Sequence, residues 1–300
     1  MDGFDPTIGK AEVLEPGLRR IVAPNPSPMT YRGTNTYVLG TRDLAVIDPG
    51  PTSDAHLDAI LGAVGIDQQI SHIIVTHSHL DHSPLARPLA AATGAPVLAF
   101  GRAEAGRSAV MAELVAAGMV GGGEGIDTGF APDVLIRDGE VIAGSDWALE
   151  VIHTPGHLGN HISLAWGDAC LTGDHVMGWA SSLVSPPDGD LTDFMASCAR
   201  LAGREWRVFY PGHGAAVAEP GKRLDWLITH RTARESAILA ALDAGPADAA
   251  TLARAVYTDT PAALLPAATR NVLAHLIDLT GKSRVQPRGP LTADTIFERI

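Results

Sequence analysis

The sequence predicts an α/β fold in which two sheets are sandwiched between helices, with a small helical appendage at the C-terminal end. Three observations point there. Short apolar, strand-like runs alternate with helix-like segments through most of the chain. Breakers such as Pro49-Gly50-Pro51 punctuate them. Near Pro220 the pattern changes to three successive helical segments and a short turn-and-strand piece. With 300 residues there is room for one large domain and a small one. The expected division is a core over 1–220 and a C-terminal unit over 221–300.

Taken in order, Arg19 to Ala23 and Tyr37 to Leu39 read as short strands, parted by Pro24-Asn25-Pro26-Ser27-Pro28. Ala45 to Asp48 is a third. Asp54 is a plausible N-cap for a helix reaching about Val64. Ile70 to Val75 is a buried-type strand running into Thr76-His77, and the next helix is expected to begin near Ser83-Pro84. An alanine-rich helix is expected from Ala103 to Gly118, closed by the flexible loop Gly121-Gly122-Gly123. Short strands with turns fill Val134 to Thr172, followed by a helix over about Asp190 to Ala202 and a strand from Arg207 to Tyr210. The tail is expected to hold helices over Arg223 to Ala244, Ala247 to Tyr257 and Pro261 to Leu279, then the turn-and-strand piece Gly281 to Val285.

Hydrophobic residues make up 46% and charged residues 19%, which fits a soluble globular chain with a sizeable core. The acidic, proline-broken start lacks the basic, apolar form of a secretory signal, and no apolar run is long enough to span a membrane. Two cysteines, Cys170 and Cys198, are too few for a disulfide framework and read as small core residues. A cytoplasmic protein is the expectation. The net charge of −12 opposes a general nucleic-acid binder, since phosphate binding is driven by lysine and arginine. From Thr229 onward eight basic residues face seven acidic ones, so the acidity belongs to the core and the tail is near neutral.

The chemistry concentrates in Thr76-His77-Ser78-His79-Leu80-Asp81-His82, at the end of a buried strand. Three imidazoles and a carboxylate in one loop are the donors a divalent ion takes; histidine is the commonest zinc ligand. Three core histidines this close would each need a separate partner. Further donors follow later strands, each in a turn with glycine: Thr154-Pro155-Gly156-His157, Thr172-Gly173-Asp174 and Pro211-Gly212-His213-Gly214. One Gly-His turn is weak, but four loops of this kind can converge on one site.

The run HxHxDH, with His157, Asp174 and His213 in that order, resembles the ligand set of the metallo-β-lactamase superfamily. The resemblance implies a four-layered αββα sandwich whose halves meet at two metal ions. By that resemblance His77, His79 and His157 would hold one ion, Asp81, His82 and His213 the other, with Asp174 bridging. Zinc is the expected metal, with manganese or iron as alternatives. Two such ions share a hydroxide whose parent water ionises near pH 7, and one ion polarises the carbonyl or phosphoryl oxygen under attack. Asp81 is the candidate catalytic group that orients this hydroxide or receives its proton. Asp48 resembles a family aspartate supporting the metal loop, although a turn-capping role also suits it. His161 could line the pocket or be a hydrogen-bonded core residue, and His175 could contact substrate or brace the bridging aspartate. His153 reads as structural; His56, His72, His230 and His275 read as ordinary.

Gly33-Thr34-Asn35-Thr36-Tyr37, Ser185-Pro186-Pro187-Asp188-Gly189 and His230-Arg231-Thr232-Ala233-Arg234-Glu235 resemble the beta-lactamase-like protein 2 group. That resemblance implies a winged-helix-like C-terminal domain, and some members cleave single-stranded RNA. The charges of His230-Arg231 also read as an exposed helical face paired with Glu235. Ser83-Pro84-Leu85 departs from the small residues, often a glycine pair, usual after the motif, and this changes the surface near the site. The favoured reading is a hydrolase of a small ester, thioester or lactone; the alternative is a metal-dependent endoribonuclease. A flavodiiron-type redox protein is set aside, because His79 is not glutamate and no flavin domain has room. The near-neutral tail suits a lid over the pocket or a contact with a second copy of the chain.

Overall fold

The structure, a computed structural model, describes residues 3–123 and 125–300. Its first sheet holds β1 (Glu12–Glu15), β2 (Leu18–Val22), β3 (Asn35–Leu39), β4 (Asp43–Ile47), β5 (Gln69–Ile74), β6 (Val97–Ala99) and β7 (Val134–Leu135), adjacent in chain order. Pairing is antiparallel as far as β4 and parallel from β4 to β7. The parallel connections carry α1 (Asp54–Gly62), α2 (Ala86–Thr93) and α3 (Ala109–Ala116). The second sheet is built from β8 (Val141–Ala143), β9 (Ala148–His153), β10 (Ile162–Trp166), β11 (Ala169–Gly173) and β12 (Val208–Pro211), again in chain order. β11 and β12 are parallel, joined through α4 (Leu191–Ala202).

Alternation along the strands builds four layers. Tyr37 and Leu39 of β3, with Leu149 and Val151 of β9, enter the core between the sheets. Val38, between the first two, turns to the opposite face with Ile60 of α1 and Leu89 of α2. Ile152 and Phe209 face away from the inter-sheet core and pack on Phe194 and Leu201 of α4. The order of layers is therefore helix, sheet, sheet, helix.

The remaining chain forms α5 (Pro220–Leu242), β13 (Ala247–Asp248), α6 (Ala249–Val256), α7 (Leu265–Gly281), β14 (Val285–Pro287) and β15 (Ile296–Arg299). Three helices and a three-stranded sheet in the order β13-β15-β14 make a small winged-helix unit. Its core joins Ile238 and Leu239 of α5 with Val272 and Leu276 of α7 and Phe297 of β15. Met111 and Leu114 of α3 belong to the same cluster, so the unit is packed onto the core. Both cysteines are free and buried. Among the described residues no helix is long and apolar enough to cross a membrane.

Several expected boundaries shift. Ser53, not Asp54, caps α1, accepting from His56 N at 3.2 Å. The helix after the motif begins at Ala86, three residues beyond Ser83. The expected helix from Ala103 shrinks to α3, which starts after the N-cap Ser108. Gly106 is the reason: it has φ +70, and a Cβ there would lie 2.1 Å from Gly159 O. That left-handed close approach to a neighbouring loop interrupts helix that alanine content alone favours. α5 begins earlier than expected, with Pro220 in its first turn. Arg231 is not on an exposed face: it is 1% exposed, and Glu235 pairs instead with Lys282 at 3.2 Å. The helical pattern shows which side is apolar, but not that one cation on it turns inward.

Candidate metal centre

β9, β11 and β12 run in one direction, as do β4 and β5 in the other sheet. The loops leaving the ends of these five strands carry Asp48, the run His77 to His82, His157, Asp174 and His213. They converge where the sheets meet, tied by Asn35 N donating to Gly212 O at 2.7 Å. All seven residues expected to be ligands come together there. Donor atoms of His77, His79, His157 and Asp174 lie within 4.8 Å of one another, and so do those of Asp81, His82 and His213. Asp174 adjoins both groups. Its Oδ2 is 3.7 Å from His157 Nε2 and 3.3 Å from His213 Nε2, while Oδ1 is 3.5 Å from His82 Nε2.

Hydrogen bonds behind the rings set which nitrogen faces the centre. Thr76 Oγ1 donates to Asp48 Oδ2 at 2.7 Å and so accepts from His77 Nδ1 at 3.0 Å. His82 Nδ1 donates to Asp48 Oδ2 at 3.0 Å. His157 Nδ1 donates to Leu183 O at 2.7 Å, and His213 Nδ1 to Gly33 O at 3.2 Å. In each ring Nε2 is the nitrogen left to face the centre. His79 presents Nδ1, 3.0 Å from Nε2 of both His77 and His157. A proton on His79 Nδ1 could serve only one of those two nitrogens, whereas a cation among the three serves all of them, so this donor set fits a metal ion. Two further atoms agree: His82 Nε2 and Asp174 Oδ1 are buried without a hydrogen-bond partner.

The charge balance supports the same fit. Burial pushes His77 and His157 below the usual imidazole value, and holds His79 at about 3. Burial acts on His213 too, but Asp174 and Asp81 outweigh it and hold that ring at about 9. His82 is likewise raised, because Asp81, Asp174 and Asp48 outweigh its burial. The two carboxylates, despite burial, are held well below the ordinary range by His82 and His213. The second group thus stabilises positive charge on Nε2, whether carried by a proton or by a metal that displaces it.

Asp48 does more than cap a turn. Its Oδ1 accepts from Thr76 N at 2.7 Å, so its two oxygens tie the start of the metal loop to His82. His161 is fully buried behind the centre; its Nε2 accepts from Asp174 N at 3.2 Å, which excludes it as a pocket wall. His175 turns away as well. It is fully buried, with Nε2 3.4 Å from Cys198 Sγ and its ring 4.5 Å from Phe194, so it cannot contact substrate. His153, read as structural, stacks on Phe100 at 3.9 Å. Sequence reasoning missed Thr34, whose Oγ1 donates to Asp81 Oδ2 at 3.0 Å, and the carbonyls of Gly33 and Leu183. Backbone acceptors carry no side-chain signal; Thr34 stood within the Gly33 to Tyr37 stretch that carries the resemblance, with no role attached to it. His56, read as ordinary, donates from Nε2 to Thr36 Oγ1 at 2.8 Å, and that hydroxyl donates to Asp48 O.

Two glycines are required by close approach. A Cβ on Gly212 would lie 2.3 Å from Asp174 Oδ1, and one on Gly173 would lie 2.6 Å from His161 Nε2.

Residues 29–213 match the family described as "Metallo-beta-lactamase superfamily", and residues 249–289 match "Beta-lactamase associated winged helix domain". The chain is 32% identical over 286 residues to the "Beta-lactamase-like protein 2 homolog" of Drosophila melanogaster, which spans 91% of each protein. It is 29% identical over 245 residues to the "Atrochrysone carboxyl ACP thioesterase" of Aspergillus fumigatus, covering 79% of this chain and 68% of that one. Among solved structures, a metallo-beta-lactamase family protein from Thermus thermophilus superposes with a TM-score of 0.75 at 27% identity, over 96% of this chain and 100% of that one. A beta-lactamase domain protein from Burkholderia ambifaria shares the fold with a TM-score of 0.81 at 20% identity, over 99% and 96%.

Proposed function

Given that the chain belongs to the metallo-beta-lactamase superfamily and is a metal-dependent hydrolase with a dinuclear site, we propose that it cleaves an ester, thioester or lactone bond of a small substrate. The observation that carries this is the cleft beside the centre. It has a volume of about 490 Å³, within the range of small-ligand pockets, and its lining includes Arg107 against Glu104 and Asp188. Ile126 and Asp188 also border a narrow space of about 10 Å³ lined by His79 and His157, so the cleft adjoins the donor side chains. Among the described lining residues, one cation against two carboxylates suits a neutral acyl group and opposes a phosphate backbone. The relative named as a carboxyl ACP thioesterase supports the acyl reading.

Within this reading His77, His79 and His157 would hold one ion and Asp81, His82 and His213 the other, with Asp174, which adjoins both groups, available to each. Zinc suits the imidazole-rich set, with manganese or iron as alternatives. Such ions, when bound, would lower the pKa of a water to near neutral and polarise the carbonyl under attack. Asp81 is the least buried of the seven, with 25% of its side chain exposed, and Thr34 holds its Oδ2. It is therefore the group that meets the attacking water, orients it and accepts its proton. Asp48 keeps His82 turned towards the centre. The core extends over 1–220 and the appended unit over 221–300, and the substrate side belongs to the core.

The test is hydrolysis of short acyl esters, acyl thioesters and lactones beside single-stranded RNA, using zinc-loaded protein and Asp81→Asn as control. Acyl cleavage lost in Asp81→Asn is expected. Cleavage of RNA alone overturns the reading in favour of the endoribonuclease that the winged-helix unit and the beta-lactamase-like protein 2 resemblance would otherwise favour.

A further inference from the structure

Arg231, near the middle of α5, is 1% exposed, and among the described residues no carboxylate pairs with it. A buried cation without a counter-charge is costly, so its neutral partners are informative. Nη2 donates to Ser182 O, and Nη1 donates to Asn271 Oδ1 at 2.9 Å, a residue of α7. The same Asn271 oxygen accepts from Val184 N at 3.1 Å. The guanidinium lies over the Phe194 ring, 5.0 Å from its centre. Arg231 and Asn271 thus grip residues 182 and 184 from the appended unit.

Between these gripped residues lies Leu183, whose carbonyl accepts from His157 Nδ1 at 2.7 Å. On the other side the Ser182 hydroxyl shares its proton between the carbonyls of Asp174 and His175, the latter at 2.9 Å. The three-residue strap therefore fixes the ring of His157 and the backbone of Asp174 together. We propose that Arg231 is a positioning residue for the metal centre: through Ser182-Leu183-Val184 it holds His157 and Asp174 in the geometry that binds the first ion. The winged-helix unit is then part of the metal site's support, although it supplies no donor atom. Its apolar core could have been packed by any helix pair, whereas a forked donor reaching both a backbone carbonyl and Asn271 is a specific demand that arginine meets and lysine does not.

This inference rests on His157 as a ligand, and the test separates the two. Zinc affinity is measured by chelator competition on the full chain for Arg231→Met, Arg231→Lys, Ser182→Ala and His157→Ala. Leu239→Ala, in the tail core, serves as a control matched for loss of thermal stability. Arg231→Met is expected to weaken the ion assigned to His157 by about 10–100-fold, the range seen when support behind a ligand is removed, and to weaken the other less, through Asp174. Arg231→Lys should restore little of this, Ser182→Ala should lose the same ion, and Leu239→Ala should keep both. Should Arg231→Met fail to fold, Asn271→Ala and Ser182→Ala grip the same strap and carry the same expectation. Parent affinity in the strap variants, or equal weakening in Leu239→Ala, overturns the positioning role. Parent affinity in His157→Ala overturns instead the ligand assignment beneath it.

Discussion

Asp48 Oδ2 lies 3.0 Å from Nδ1 of His82, while Nε2 of that ring lies 3.3 Å from Asp81. The ring is held between one carboxylate that sets its tautomer and another that belongs to the same donor cluster. Asp48 adopts φ 51, a left-handed conformation that asparagine also tolerates. Asp48→Asn therefore isolates electrostatics from backbone strain. A single amide oxygen cannot accept from Thr76 N, Thr76 Oγ1 and His82 Nδ1 together. A 10–100-fold weaker second metal is expected by chelator competition, with the far-ultraviolet circular dichroism spectrum unchanged. Parent affinity would show that His82 holds its orientation without this carboxylate.

Removing the shared carboxylate should be worse than removing any neighbour. Asp174→Ala takes away the one group that adjoins both donor clusters. Elemental analysis should show about two ions per chain in the parent and fewer than one in the variant. His175→Ala, whose ring faces Cys198 and Phe194, should keep both. The reverse pattern would remove Asp174 from its bridging place.

Gly212→Ala tests close approach without removing any donor. The added Cβ would sit 2.3 Å from Asp174 Oδ1 and 2.8 Å from His82 Cε1. Since misplacing a reacting group by about 1 Å can cost 100-fold, kcat should fall by roughly that factor. KM should change little, because the cleft beside Arg107 is untouched. A parent-like kcat would mean that the loop relaxes around the methyl group.

Stability should fall in mild acid. Burial holds the His56 imidazole at about 4 and the His275 imidazole at about 3, against about 6.5 in an unfolded chain. Below 6.5 the unfolded state therefore binds more protons than the folded one. The stabilisation from keeping these rings neutral is complete above 6.5, is lost progressively below it, and is gone once pH has fallen through about 4 for His56 and about 3 for His275. For His56 the full loss is on the order of 3 kcal/mol. Urea denaturation from pH 8 to 4 should show this slope, and it should be shallower in His275→Leu. Comparing variant with parent at each pH cancels the contribution of bound metal. An equal slope in both would exclude His275 from the acid response.

Much of the centre was legible because its donors sit in short, glycine-bearing turns directly after apolar strands. Thr76 to His82 and Pro211 to Gly214 each announce a strand end and a metal-type donor within a few residues. The tail was less legible. Arg231 reads as surface charge by its position in a helical pattern, and only its fork onto Ser182 O and Asn271 shows otherwise. The segment from Ala103 misled for a related reason: helix propensity is local, whereas the approach of Gly106 to Gly159 O is set by a loop far along the chain.

By itself the sequence determined the alternation of strands and helices and the seven candidate donors whose order resembles a two-metal hydrolase set. Those properties reside in residue types and short spacings, which are covalent facts. Only the tertiary structure decided which ring nitrogen faces the centre, that His161 and His175 lie behind it, and that the appended unit grips the strap carrying Leu183. Each of these depends on backbone carbonyls and on partners dozens of residues away. Every residue type offers the same carbonyl, so no side chain in the sequence marks which one will be used.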